Sequence, residues 1–128
     1  MIVLDTHAFL WWAGESKRLS SAARRAISAS KRRGVPAICL WELAMLVERG
    51  RLELNREVGD WLSDAVALDG IEVLPITAEI AVRSTRLSAT FHRDPADQLI
   101  VATAVVHGAA LVTRDERLRD FAGVRTVW

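Results

Sequence analysis

The chain has 128 residues, enough for one domain with a real hydrophobic core and no need of metal or disulfide staples. Its 17 Lys+Arg nearly balance 16 Asp+Glu, so overall charge by itself predicts no nucleic-acid partner. The single Cys39 excludes an internal disulfide and fits a reducing compartment, and no apolar run is long enough to span a bilayer. No positively charged leader precedes an apolar segment, so the chain is expected to be soluble and cytoplasmic, with no membrane partner. No repeat or low-complexity linker divides it, and residues 1–128 are expected to form a single domain.

Met1-Ile2-Val3-Leu4 shows no polar alternation, the pattern of a strand buried on both faces of a parallel sheet. It stops at Asp5, where a helix carrying Ala8, Phe9, Leu10, Trp11 and Trp12 begins; Gly14 ends that helix. Two adjacent tryptophans lie about 100° apart on a helix, so one of them is expected to face solvent or a partner. Ser20 or Ser21 is expected to cap a second helix with Ala22, Ala23, Ala26 and Ile27 as its apolar stripe, ended by Gly34. Residues 36–40 read as a second buried strand, followed by a helix over about 41–49 that stops at Gly50. Asn55 is expected to cap a fourth helix, where Val58, Trp61, Leu62 and Ala65 follow the i, i+3, i+4, i+7 pattern before Gly70.

Residues 71–75 form the third expected strand, and Thr77 caps a fifth helix with Glu79 in its first turn, extending to about Phe91. Asp94-Pro95 starts a sixth helix, since Pro suits the first helical position and Asp the cap before it. Its body is apolar on almost every side and should be buried until Gly108 ends it. Residues 110–113 then make a fourth strand running into Asp115, a short helix spans about 116–121, and residues 124–127 make the last strand. Strands alternating with helices at this interval predict an α/β fold, a parallel sheet with helices on both faces.

Charge is distributed unevenly. Between Ser16 and Trp41 there is no acid, yet Lys17, Arg18, Arg24, Arg25, Lys31, Arg32 and Arg33 all fall there, the footprint expected of a surface that holds phosphates. A solvated helix face accounts for any one of them equally well.

The acids carry the chemistry. Asp5 follows strand one, Glu42 falls in the first turn after strand two, Asp115 follows strand four, and Asp94 and Asp97 open the helix before strand four. In an open α/β sheet the ligand crevice lies beyond the carboxyl ends of the strands, so these side chains should share one edge. Carboxylates gathered there repel unless some stay protonated or a divalent cation neutralises them. Oxygen ligands without a His or Cys cluster favour Mg²⁺ or Mn²⁺ over Zn²⁺, and such an ion would activate water for phosphodiester hydrolysis. Each acid also has a local alternative: Asp5, Asp94 and Asp115 are favoured helix caps, and Glu42 complements a helix dipole. The cap is the preferred role for Asp94, and Asp97 is the better ligand. Thr6 and Thr113, next to or near an acid at a strand end, are candidates to orient a carboxylate. His7 and His92 are further candidates to assist.

Taken together, these stretches resemble the PIN-domain ribonucleases, and among them the VapC-type toxins of type II toxin–antitoxin pairs. The matching segments are Leu4-Asp5-Thr6-His7 with Trp11-Trp12; Leu40-Trp41-Glu42-Leu43-Ala44 with Gly50-Arg51-Leu52; Asp94-Pro95-Ala96-Asp97 with 99–104; and Leu111-Val112-Thr113-Arg114-Asp115. The resemblance implies a five-stranded parallel sheet, a Mg²⁺- or Mn²⁺-dependent endoribonuclease acting on RNA, a homodimer, and inhibition by a cognate antitoxin. Asp5, Glu42, Asp97 and Asp115 match the family's acidic catalytic and metal-binding positions. Trp11 or Trp12, with Trp61, match the apolar groove that an antitoxin threads. The chain departs from the pattern at Gln98, where Arg is frequent, at Cys39, where Ser is expected, and at Leu46, where Lys is common. Two other readings stay open: a non-catalytic nucleic-acid-binding module, and a phosphatase with Asp5 as nucleophile. The second is weakened by His7 standing where such enzymes carry a second Asp, and by Lys17 and Lys31 being the only lysines.

Overall fold

The opening apolar residues form β1 (Ile2–Leu4), every one of them buried, at the centre of the sheet in a computed structural model that describes all 128 residues. Asp5 caps α1 (Thr6–Ala13), and Ser20 caps α2 (Ser21–Ala29), whose Ala23 and Ile27 face the core. Then follow β2 (Arg33–Pro36), α3 (Ala37–Glu48), α4 (Val58–Val66), β3 (Ile71–Leu74) and α5 (Ala78–Ser84). The chain closes with α6 (Pro95–Val106), β4 (Ala110–Val112), α7 (Glu116–Asp120) and β5 (Thr126–Val127). The five strands lie in the order β3-β2-β1-β4-β5, and every pairing is parallel. β1 and β4 are buried along their whole length, so helices cover both faces of the sheet.

This order has one topological consequence that matters for function. From β1 the chain winds outward through β2 and β3, then crosses back to add β4 and β5 on the other side. The carboxyl ends of β1 and β4 therefore flank the point where the winding reverses, the place where open α/β sheets leave a crevice. Asp5 follows one of these strands and Thr113 the other.

The expected second strand is displaced. Of residues 36–40, expected to be strand, 37–40 are helical, and the strand comes earlier, at Arg33–Pro36. A short apolar run does not distinguish a buried strand from a buried helix; here Ala, Leu, Glu and Met favour the helix and the inward Cys39 and Leu43 keep its i, i+4 spacing. Gly34 consequently does not end α2, which closes at Ser30; it sits inside β2. A Cβ added there would fall 2.6 Å from Leu74 Cδ1 and 3.2 Å from Met1 Sδ, so the glycine lets neighbouring side chains close over the strand.

Two further expectations change. The cap of α4 is the Glu57 carboxylate, which accepts from the Asp60 N–H at 2.9 Å, rather than Asn55. The fifth helix ends at Ser84 instead of running to Phe91. By contrast, Thr77 caps α5 and Asp94 caps α6 as expected, and α6 buries Ile100 through Ala104.

Candidate active site

At the carboxyl edge of the sheet the helices that follow β1, β2 and β4, together with the start of α6, line a cavity of about 860 Å³. Six carboxylates and five arginines line it. Asp5, Glu42, Asp94, Asp97 and Asp115 are among them, so every acid singled out in the sequence faces this one space.

Asp5 serves two ends. Its carboxylate accepts the Ala8 N–H at 2.8 Å, capping α1, and it also receives the buried hydroxyl of Thr113. Burial raises Asp5 to about 6 from the ordinary 3.8, with Asp97 and Asp115 adding to the rise while Thr113 and the Ala8 N–H oppose it. The same Thr113 hydroxyl accepts the Asp115 N–H at 3.1 Å, so one side chain links the acids that follow β1 and β4. Thr6 does the equivalent on the other flank, its hydroxyl donating to Glu42 Oε1. Glu42 lies in the second turn of α3, not the first turn after a strand, because the helix starts earlier than expected.

Asp94 is the cap of α6: it accepts the Asp97 N–H at 3.0 Å. That leaves the Asp97 carboxylate free to turn inward, where His92 Nε2 donates to its Oδ2 at 2.7 Å. The His92 ring is held by stacking on Phe91, 4.5 Å between centroids, and Phe91 in turn meets Phe121 edge-on. His7 also borders the cavity, against the Trp11 ring at 5.4 Å.

Burial pushes Glu42 and Asp97 above the usual carboxylate range, and in each case neighbouring acids add to the rise. Asp115 differs. Burial pushes it upward too, but the Arg117 side chain and backbone N–H together pull it below its ordinary value. Asp5 and Glu42 have no cationic partner, and burial keeps Asp97 high although His92 and Arg117 lie beside it, a condition that a divalent cation relieves. The donor set, carboxylates with hydroxyls behind them, suits Mg²⁺ or Mn²⁺. The acids share a cavity without forming a closed cage: no group of three His, Cys, Asp or Glu side chains stands ready to grip an ion.

The basic segment does not supply the rim that its composition promised. Arg18 alone of those seven residues reaches the cavity. Arg32 is paired with Glu72 at 2.9 Å; Arg33 donates to the carbonyls of Ile27 and Asp69 and covers Trp12 at 5.0 Å; Arg24 donates to the Ser16 carbonyl. β2 starts at Arg33, so this charge lies at the amino edge of the sheet, away from the acids. The rim is built instead from Arg49, Arg51, Arg114 and Arg117, which sequence reading did not select. Arg114 and Arg117 flank Asp115, and a basic residue beside an acid at a strand end was the signal available for them.

The tryptophans also redistribute. Trp11 is 8% exposed, packed against Trp128 with Arg114 over its ring, and what surface it keeps borders the cavity. Trp12 and Trp61 are half-buried, Trp61 meeting Phe9 edge-on. Trp41, which sequence reading left unremarked as a partner residue, is the exposed one at 56%.

A parallel α/β sheet with carboxylates gathered at its reversal point and hydroxyls holding them is the layout of a hydrolytic enzyme whose acids could hold a divalent cation. The sequence pattern of the PIN domain matches residues 2–124. Ribonuclease VapC22 of Mycobacterium tuberculosis is 41% identical over 99% of this chain and 98% of its own length. By structure the chain is similar to VapBC2 from Rickettsia felis bound to a promoter DNA fragment, with TM-score 0.73 and 16% identity over 98% of this chain and 97% of that one. It is also similar to a toxin–antitoxin complex from Klebsiella pneumoniae, with TM-score 0.68 and 21% identity over 97% and 95% of the two chains. The chain belongs to the PIN-domain family and, within it, to the VapC ribonucleases. That membership sets aside the binding-module and phosphatase readings.

Proposed function

We propose that the chain is the toxin of a toxin–antitoxin pair, cutting RNA internally with the help of Mg²⁺ or Mn²⁺. The observation that carries this reading is the convergence of Asp5, Glu42, Asp97 and Asp115 on one cavity, two of them tethered to Thr113 and one to Thr6. A divalent cation bound there would lower the pKa of a water and stabilise the leaving oxygen of the phosphodiester. The chain's own residues prepare that site. Thr6 fixes the rotamer of Glu42, and Thr113 holds Asp5 and the first turn of α7 in register. His92 aims Asp97, and the buried Asp5 is free of the proton above pH about 6. Arg18, Arg49, Arg51 and Arg114 on the rim attract the phosphates flanking the cut, which the acids alone would repel.

An antitoxin would cover part of this surface. With Trp11 packed inward, Trp12 and Trp61 are the aromatic residues available to it, and the exposed Trp41 is placed to be covered in a homodimer. We propose that it acts in the cytoplasm, where its RNA substrate lies; no helix is long and apolar enough to cross a membrane. The test is cleavage of RNA by the purified chain with Mn²⁺. Chelation and Asp5→Asn should each abolish it, and undiminished cutting by Asp5→Asn would end this reading.

A further inference from the structure

Arg117 stands in the first turn of α7 with its guanidinium between two of the four acids. Nη2 lies 3.2 Å from Asp115 Oδ2 and 3.6 Å from Asp97 Oδ2, and Nε lies 3.4 Å from Asp115 Oδ1. It is the only Lys or Arg side chain that pairs with any acid of the site. The two carboxylates come from different elements, the start of α6 and the cap of α7, so Arg117 is the cationic link between them. We infer that Arg117 is a resident counter-ion: it neutralises Asp97 and Asp115 while no metal is bound, and is displaced from them when a divalent cation enters. This rests on the nuclease reading above.

Three features favour displacement over a fixed bridge. The Arg117 side chain is 61% exposed whereas that of Asp97 is 15% exposed, so the charge reaches inward from solvent and can return there. Beyond these two acids it has no other side-chain partner, and exposed guanidinium–carboxylate pairs change an equilibrium constant only a fewfold. Finally, Asp5 and Glu42 receive no such cation, so a divalent ion would gain four carboxylates where Arg117 satisfies two. The guanidinium, lining the same cavity, would then face the space where the substrate phosphate lies.

The experiment is calorimetric titration of Mn²⁺ into wild type, Arg117→Met, Arg117→Lys and Arg119→Met. Arg119 lies on the same helix, is exposed and does not line the cavity, so it reports loss of one positive charge without loss of the bridge. Arg117→Met should bind Mn²⁺ roughly two- to fivefold more tightly than wild type, with Arg117→Lys between them and Arg119→Met unchanged. Equal or weaker binding by Arg117→Met, beside a wild type that binds normally, overturns the displacement and leaves the nuclease reading standing. Equal tightening by Arg119→Met overturns it as well, reducing the effect to net charge. No uptake by any of the four proteins overturns both.

Discussion

The hydroxyl of Thr6 donates to the carboxylate of Glu42, a residue 36 positions away on another helix. Thr6 opens α1 beyond the central strand and Glu42 lies on α3, so the bond ties the helix after β1 to the helix after β2 at the rim of the cavity. Removing the hydroxyl while keeping the shape isolates its effect. Thr6→Val should weaken Mn²⁺ binding and RNA cleavage about tenfold, the range expected when a metal-ligand carboxylate loses its orienting partner. The two should fall together, as read by calorimetry and by initial rates. Unchanged Mn²⁺ affinity would show that Glu42 is held by something else.

The metal-free protein should become less stable as pH rises through the titration of Asp5. Burial raises its pKa to about 6 in the folded chain from 3.8, so the folded state holds the proton more tightly than the unfolded one. The Asp5 contribution is therefore fully present below pH about 4 and lost above about 6, a difference of roughly 3 kcal/mol. Asn also caps helices well, so Asp5→Asn should stabilise the metal-free protein at pH 8 and lose that advantage by pH 4. Urea unfolding at both pH values in chelator measures it. Saturating Mn²⁺ should reverse the order at pH 8 by binding only the wild-type site.

Gly34 gives a packing prediction. Its place inside β2 brings Leu74 and Met1 to where a methyl group would stand. Gly34→Ala should cost about 1–3 kcal/mol through overpacking, seen as a lower urea midpoint with an unchanged slope. The sheet edge that carries the acids should keep its Mn²⁺ affinity. A neutral Gly34→Ala would mean that the Leu74 side chain gives way freely.

Cys39 should be chemically silent. It is fully buried, its Sγ within 4.0 Å of the Leu4 carbonyl, and burial pushes its thiol far above the ordinary range. Iodoacetamide should label it only after unfolding, at a rate that tracks urea denaturation. Rapid labelling of the folded chain at pH 8 would contradict this environment. Activity should be indifferent to Cys39→Ser, since the thiol lies behind Thr6 rather than in the cavity.

The residues that make the site could be read from the sequence because local rules put them there. Asp5, Asp94 and Asp115 each follow or precede an apolar run at a position where a helix must begin, and each does cap that helix. The period of apolar residues marked the strands β1 and β4 and the buried helix α6, since complete burial leaves no polar alternation to misread. Three-dimensional structure decided the rest. Whether residues 37–40 were strand or helix depended on what packed around them, which periodicity in a short apolar run does not encode. The fate of the basic segment depended on sheet direction: β2 places Arg32 and Arg33 at the amino edge, so their charges are used by Glu72 and by backbone carbonyls. The cations that do face the acids, Arg18, Arg49, Arg51, Arg114 and Arg117, are scattered in sequence and gathered only by the fold that brings these segments to one edge. Composition and spacing name the groups that can do chemistry; which of them meet is settled by strand order, because only the order brings distant carboxyl ends to a common edge.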